Sequence, residues 1–122
     1  TVTQIEMPEK FSKVAGFLDF KNREIIINSK DSSRKKAFSI AHELGHFVLH
    51  SEKFNKDSSF YQVLFRAEEL NDTSPEEREA NTFAACLLTP RQMLETYRDV
   101  PDSIKAKIFG VPTKLLSFRN KY

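Results

Sequence analysis

The sequence has little cysteine, glycine and proline, no tryptophan and no long apolar stretch. Its one cysteine, Cys86, cannot form a disulfide within the chain, which excludes a small scaffold held together by disulfides. No apolar run approaches the roughly 20 residues of a membrane-spanning helix or resembles a secretion signal. We therefore expect a protein of the reducing cytoplasm with no membrane partner.

Charge of one sign is also scarce. Nineteen basic and seventeen acidic side chains leave a formal net charge of +2. This charge is too small to create an electrostatic field that attracts nucleic acid. We interpret the basic residues near the C-terminus as a solvated face, so nucleic acid is not expected as a partner. These residues are Lys105, Lys107, Lys114, Arg119 and Lys121.

The length and composition fit one domain. A chain of 122 residues with 39% hydrophobic side chains and no repeat can bury a single core. We expect residues 1–122 to form that domain. Because the chain begins at Thr1 rather than Met, we expect that it was processed or cut from a longer protein.

Apolar, β-prone runs predict the strands. Two runs within residues 14–28 surround a polar turn at residues 21–23, which predicts an antiparallel hairpin. A third strand is predicted over Phe60–Arg66. Residues 2–7 end at Pro8 and are either an edge strand or a loose arm.

Apolar residues spaced three and four apart predict the helices. The first covers Arg34–His50, with a serine at position 32 or 33 as its N-cap, and the second runs from Pro75 to just before Pro90. A short helix over residues 90–98 and a helical hairpin around Gly110 follow. The predicted fold is α+β: a small antiparallel sheet of about three strands packed against the two long helices, with further helices at the C-terminus.

Residues 42–46 read H-E-L-G-H on the first predicted helix. Residues four apart share one helical face, so the imidazoles of His42 and His46 can reach one zinc ion. Glu43 is turned by about 60° from His46 around the helix axis, so its carboxylate can take a proton from water at that ion. The motif occurs by chance in many proteins, but an amphipathic helix after a hairpin is the context that its chemistry requires.

A catalytic zinc ion needs a third protein ligand and one open position. On a helical wheel, Glu76 and Glu77 lie beside the apolar stripe of the second helix, whereas Glu79 points about 100° away. We predict Glu77 as the third ligand, with Asn81 placed to orient a ligand from behind. If Glu77 instead closes a capping box with Ser74, Glu76 becomes the candidate.

Four other polar residues and Cys86 are expected to have supporting or structural roles. His50 is predicted to support the site or cap the helix, because a third ligand on the first helix would make the glutamate redundant. Tyr61, Arg66 and Tyr97 are candidate donors to the oxyanion of a tetrahedral intermediate. Cys86 lies among apolar residues and is predicted to be a small buried core residue.

Two separated segments resemble the ImmA/IrrE family of metallo-endopeptidases. They are H-E-L-G-H-F-V-L-H at 42–50 and E-R-E-A-N-T-F-A-A-C-L-L-T-P at 77–90. The second is the more specific, because its pattern of Glu, Ala-Asn, Phe-Ala and Leu-Leu before proline is hard to obtain by chance. The resemblance extends from the hairpin to the I-F-G-V-P tail and implies a gluzincin-like zinc fold.

The resemblance also implies roles for individual residues. It maps the metal ligands onto His42, His46 and Glu77, the catalytic glutamate onto Glu43, and a supporting polar residue onto Asn81. Where the family often has Met before the closing proline, this chain has Thr89, a change that affects packing rather than the metal.

The implied activity is that of a zinc-dependent endopeptidase. Members of the family cut a specific protein, such as a helix-turn-helix repressor or antitoxin of bacteria or phage, and so regulate transcription. The alternative is a zinc-binding sensor or docking module without catalysis, against which the intact Glu43 argues. The strand Phe60–Arg66, between the two metal helices, offers a hypothetical edge to which an extended substrate peptide adds.

Overall fold

Four strands form one mixed sheet in the computed structural model, which describes residues 1–54, 61–65 and 74–120. They are β1 (Val2–Ile5), β2 (Val14–Asp19), β3 (Glu24–Asn28) and β4 (Tyr61–Phe65), in the spatial order β1-β3-β2-β4. β2 pairs antiparallel with both β3 and β4, which confirms the hairpin and the third strand. β1 adds a fourth strand and runs parallel to β3, so the sheet is mixed rather than wholly antiparallel.

The parallel strand results from the path of the chain before the hairpin. After β1, a short 3-10 turn at Glu9–Phe11 precedes β2, and the hairpin then returns β3 into the space between β2 and β1. Backbone hydrogen bonds hold both ends of β1, from Ile25 N to Thr1 O at 2.8 Å and from Ser29 N to Ile5 O at 2.7 Å. The N-terminal segment is therefore an edge strand and not a loose arm.

Serine side chains cap the N-termini of the two long helices. Ser32 Oγ accepts a hydrogen bond from Lys35 N before the first helix, and Ser74 Oγ accepts one from Glu77 N before the second. Within the described ranges, no helix is both long and apolar enough to cross a membrane. The helices are α1 (Ser33–Phe54), α2 (Pro75–Leu88), α3 (Arg91–Thr96), α4 (Asp102–Phe109) and α5 (Thr113–Arg119).

Helix α1 lies between the sheet and the other helices. Its residues Ile40, Leu44 and Phe47 pack on an apolar cluster of the sheet, built from Leu18, Phe20, Ile25 and Ile27. A different face of α1, with Phe38 and Ala41, joins a second cluster of apolar residues. That cluster includes Ala84, Ala85, Ala106, Val111, Leu115 and Leu116.

Helices α1 and α2 approach each other closely at Gly45. A Cβ atom at Gly45 would lie 3.2 Å from the Cα atom of Ala80 and 3.1 Å from Cδ1 of Phe83. These distances are shorter than most contacts of a Cβ atom, so glycine lets the two backbones come this close without a shift of either helix. The approach brings the polar face of α1, with the H-E-x-x-H residues, against the first turns of α2.

Two side chains are placed differently from expectation. Cys86 is exposed and not buried, because it lies on the outer side of α2, away from the face on which Ala80 and Ala84 pack. Arg119 is buried rather than part of a solvated face, and its Nε donates to the carbonyl oxygen of Thr89 at 3.3 Å.

We expect Gly45→Ala to lower the free energy of unfolding. Alanine favours a helix over glycine by about 1 kcal/mol, but overpacking a tight contact costs about 1–3 kcal/mol. The closest backbone atom, the Cα of Ala80, cannot rotate away. Urea unfolding should therefore show a net loss, and a double-mutant cycle with Phe83→Ala should show coupling between the two positions. Equal or greater stability of Gly45→Ala would show that α2 shifts at no cost.

Candidate metal centre

Three side chains from α1 and α2 bring nitrogen and oxygen atoms to one point. His42 Nε2 lies 2.9 Å from Glu77 Oε2, His46 Nε2 lies 2.9 Å from Glu77 Oε1, and the two Nε2 atoms are 3.1 Å apart. Both rings are fully buried, whereas the Glu77 side chain is 13% exposed. In the part of the chain that the structure describes, these three residues form a group that could hold a metal ion.

The donor atoms suit a divalent transition metal. Ligand atoms at about 2.0–2.1 Å from a tetrahedral zinc ion lie about 3.4 Å from one another. The three side chains therefore have to move apart only slightly to admit an ion. Two histidines and one glutamate are a donor set of catalytic zinc sites, and three protein ligands leave the fourth position open. The residues therefore fit the metal that the sequence predicts.

The hydrogen-bond partner of His42 is further support for a cation at this point. Asn81 is buried, and its Oδ1 accepts a hydrogen bond from His42 Nδ1 at 2.8 Å. A neutral imidazole that donates through Nδ1 keeps its lone pair on Nε2. That lone pair then faces the carboxylate of Glu77, and two acceptors at this distance repel each other unless a proton or a metal ion lies between them.

Glu77 takes part in the helix cap and in the cluster through different atoms. Its backbone N–H donates to Ser74 Oγ at 3.2 Å, while its two carboxylate oxygens face the two histidines. The cap at Ser74 therefore leaves the carboxylate of Glu77 at the cluster. Glu77, which the sequence analysis chose over Glu76, is the glutamate that joins the two histidines in the group described above.

The electrostatics of the cluster favour an anionic Glu77 and a neutral His46. Burial alone raises the pKa of Glu77, but without metal its carboxylate accepts hydrogen bonds from the protonated rings of His42 and His46, and these bonds together with the positive charge of the rings outweigh burial and bring the pKa to about 2. For His46, burial is the largest effect and lowers the pKa, although Glu77 opposes it. An ionised carboxylate and a neutral imidazole are the forms that bind a metal ion.

Glu43 is fully buried beside the cluster. Neither of its carboxylate oxygens has a hydrogen-bond partner among the described residues, and Oε1 lies 4.0 Å from His42 Nε2. Burial, followed by repulsion from Glu77, raises the pKa of Glu43 well above its ordinary value. A buried carboxylate without a partner is costly, and its raised pKa suits a group that accepts a proton from water.

His50 extends the polar cluster away from the three converging atoms. Its Nδ1 lies 2.9 Å from His46 Nδ1, which agrees with the predicted supporting role, and its Nε2 lies 3.7 Å from Glu79 Oε2. Sequence reasoning ranked Glu79 last as a ligand and missed this contact. No signal in the sequence indicates it, because it joins two helices that are distant along the chain.

Of the predicted oxyanion donors, Tyr97 is the one whose side chain lies within the described residues. Tyr97 packs edge-on against Phe109, with ring centroids 6.0 Å apart. The side chain of Tyr61 and the whole of Arg66 lie outside the described residues, so the identity of the donor stays a prediction.

We expect Glu43→Gln to stabilise the metal-free protein at high pH. The native state disfavours the ionised carboxylate, so its penalty is absent below the ordinary pKa of 4.5 and complete above the raised native pKa. Thermal unfolding in excess chelator should show a higher Tm for Glu43→Gln than for wild type at about pH 8, and a smaller difference at about pH 4. The exposed Glu95→Gln is the matched control. A pH-independent difference would contradict the buried, unpartnered state of Glu43.

Comparison with known proteins identifies the family of the chain. The family described as IrrE N-terminal-like domain (Peptidase_M78) matches residues 3–121. The chain is also similar to "Uncharacterized immunity region protein 2" of Bacillus phage phi105, with 30% identity over 115 residues that cover 88% of this chain and 66% of the relative. The chain thus spans just under two thirds of that relative's length. The family match covers nearly the whole sequence, and the chain therefore belongs to the IrrE N-terminal-like family of metallopeptidase-like domains.

Proposed function

We propose that residues 1–122 form a single zinc-dependent endopeptidase domain. His42, His46 and Glu77 are the zinc ligands, and Glu43 is the general base. The observation that carries the proposal is the state of Glu43, a fully buried carboxylate without hydrogen-bond partners among the described residues, beside three converging donor atoms. A binding module gains nothing from the cost of such a group, whereas a hydrolase needs a base at this position.

The residues divide the work of peptide hydrolysis between them. Zinc held by His42, His46 and Glu77 would polarise a peptide carbonyl and make water more acidic. Glu43 takes the proton of the attacking water on a carboxylate oxygen and passes it to the leaving amine nitrogen. The burial of Glu43 helps the first transfer, because burial favours the protonated carboxyl that results from it.

We further propose that the substrate is a specific protein, such as a helix-turn-helix repressor or an antitoxin. The family supports a protein substrate, and the similarity to a phage immunity region protein favours a target of this regulatory kind. Such a target gives the domain a role in transcription regulation and places it in the cytoplasm. Recognition of a folded target would need more contacts than the catalytic residues provide.

The position of β4 supports binding of an extended peptide. Among the strands that the structure describes, in the order β1-β3-β2-β4, β4 is at an edge of the sheet, next to β2. A substrate segment that adds to this edge gains backbone hydrogen bonds with little dependence on sequence. Specificity would then come from other parts of the target.

Metal analysis tests the ligand set. We expect one zinc per chain in the wild type, loss of zinc in His46→Ala and Glu77→Ala, and retention in Glu76→Ala, because Glu77 and not Glu76 supplies the carboxylate. Elemental analysis after dialysis against zinc gives the stoichiometry. Absence of zinc from the wild type under these conditions would refute the metal site and the hydrolase together.

Removal of the base tests catalysis separately. Glu43→Gln should bind zinc like the wild type but cleave about 10²- to 10⁴-fold more slowly, which is the usual contribution of a general base. New peptide termini generated from a proteome-derived peptide library can be counted by mass spectrometry. If both proteins bind zinc and neither generates new termini, the alternative of a zinc-binding sensor or docking module is favoured.

Proline substitutions test the edge strand. Backbone N–H groups of successive residues in a strand point to opposite sides. One of the substitutions Gln62→Pro and Val63→Pro therefore removes a hydrogen bond to β2, and the other removes an N–H donor at the outer edge of the sheet. We expect the outward substitution to keep zinc and folding but lose cleavage. Full cleavage activity of both folded variants would exclude strand addition at β4.

A further inference from the structure

Each histidine of the proposed metal site has a buried polar partner on its far side. His42 contacts Asn81 through Nδ1 at 2.8 Å, and His46 contacts His50 through Nδ1 at 2.9 Å. In the first contact His42 Nδ1 is the donor, because the side-chain oxygen of Asn81 can only accept. The second contact joins two ring nitrogens, and either of them can be the donor of the hydrogen bond.

Metal binding decides which of the two imidazoles donates. A neutral imidazole that offers the lone pair of Nε2 to a metal carries its hydrogen on Nδ1. His46 Nδ1 is then the donor, and His50 Nδ1 must accept with its own lone pair. The hydrogen of a neutral His50 therefore lies on Nε2, the atom that faces Glu79 Oε2 at 3.7 Å.

We propose that His50 and Glu79 form a positioning pair for His46. Glu79 stabilises the Nε2–H tautomer of His50, and His50 Nδ1 accepts the hydrogen of His46 and so aims His46 Nε2 at the metal. This inference rests on the proposed metal site. His50 acts through His46 and has no contact with the reacting atoms, so it is a positioning residue and not a catalytic one.

Burial predicts that the two members contribute unequally. The side chain of His50 is 6% exposed, so loss of its acceptor would leave the N–H of His46 unsatisfied in a buried place. The side chain of Glu79 is 57% exposed, and water screens its interaction with His50. We therefore expect a large effect from changes at His50 and a small one from changes at Glu79.

Zinc affinity gives a readout that does not depend on catalysis. Dissociation constants from competition with a chromophoric chelator should rise by about 10- to 100-fold in His50→Leu, the usual effect of removing such a partner. His50→Asn should stay within a few-fold of wild type, because its side-chain oxygen restores an acceptor near the position of Nδ1. Glu79→Gln should give a rise of a few-fold, and the exposed Glu95→Gln, as matched control, should give none.

The tautomers can be observed directly. The sequence contains three histidines, His42, His46 and His50, so a nitrogen-proton correlation spectrum of the imidazoles is simple to assign. In the zinc-loaded protein we expect hydrogens on Nδ1 of His42 and His46 and on Nε2 of His50. A hydrogen on His50 Nδ1 would overturn the proposal, even if zinc binds.

The outcomes separate this inference from the function on which it rests. If the wild type binds zinc and Glu77→Ala does not, but His50→Leu binds as tightly as the wild type, the positioning pair is refuted and the metal site stands. If His50→Asn is as weak as His50→Leu, shape and not the acceptor is responsible, and the proposal also fails. Should His50→Leu not fold in chelator, His50→Asn, Glu79→Gln and the tautomer spectrum decide.

Discussion

The close approach of α1 and α2 at Gly45 is the constraint on which the site depends. The two histidines come from α1 and the glutamate from the first turn of α2, so their donor atoms meet only if the helices pack closely here. The missing side chain of Gly45 and the small Ala80 permit that approach. The same contact places Asn81, 39 residues from His42 along the chain, within hydrogen-bond distance of its ring.

Burial of so many polar groups between two helices requires compensation, and most of the cluster has it. Glu77 faces both histidines, and the far sides of the rings contact Asn81 and His50. Glu43 is different, because its oxygens have no hydrogen-bond partner in the described structure. A fold that keeps an uncompensated carboxylate at this place gives up stability at the position where the proposed activity needs a reactive group.

The elements with strong local signals were predictable. The hairpin, α1 and α2 follow from apolar periodicity and from capping serines, which act within a few residues. The misses concern long-range packing. The parallel pairing of β1 with β3, the exposure of Cys86 and the burial of Arg119 depend on which elements become neighbours, and short windows of sequence carry no such information.

The sequence by itself determined the spacing of His42 and His46 on one helical face, the place of Glu43 beside them, and the family, because these depend on helical periodicity and on residue identity. The sequence did not decide by itself which of Glu76, Glu77 and Glu79 faces the two histidines. Tertiary structure directed the Glu77 carboxylate to the histidines, left the amide of Glu77 for the cap at Ser74, and set Glu79 against His50. The physical reason is that a helical wheel gives a direction around one axis, whereas a contact between two helices also depends on their separation, rotation and relative height.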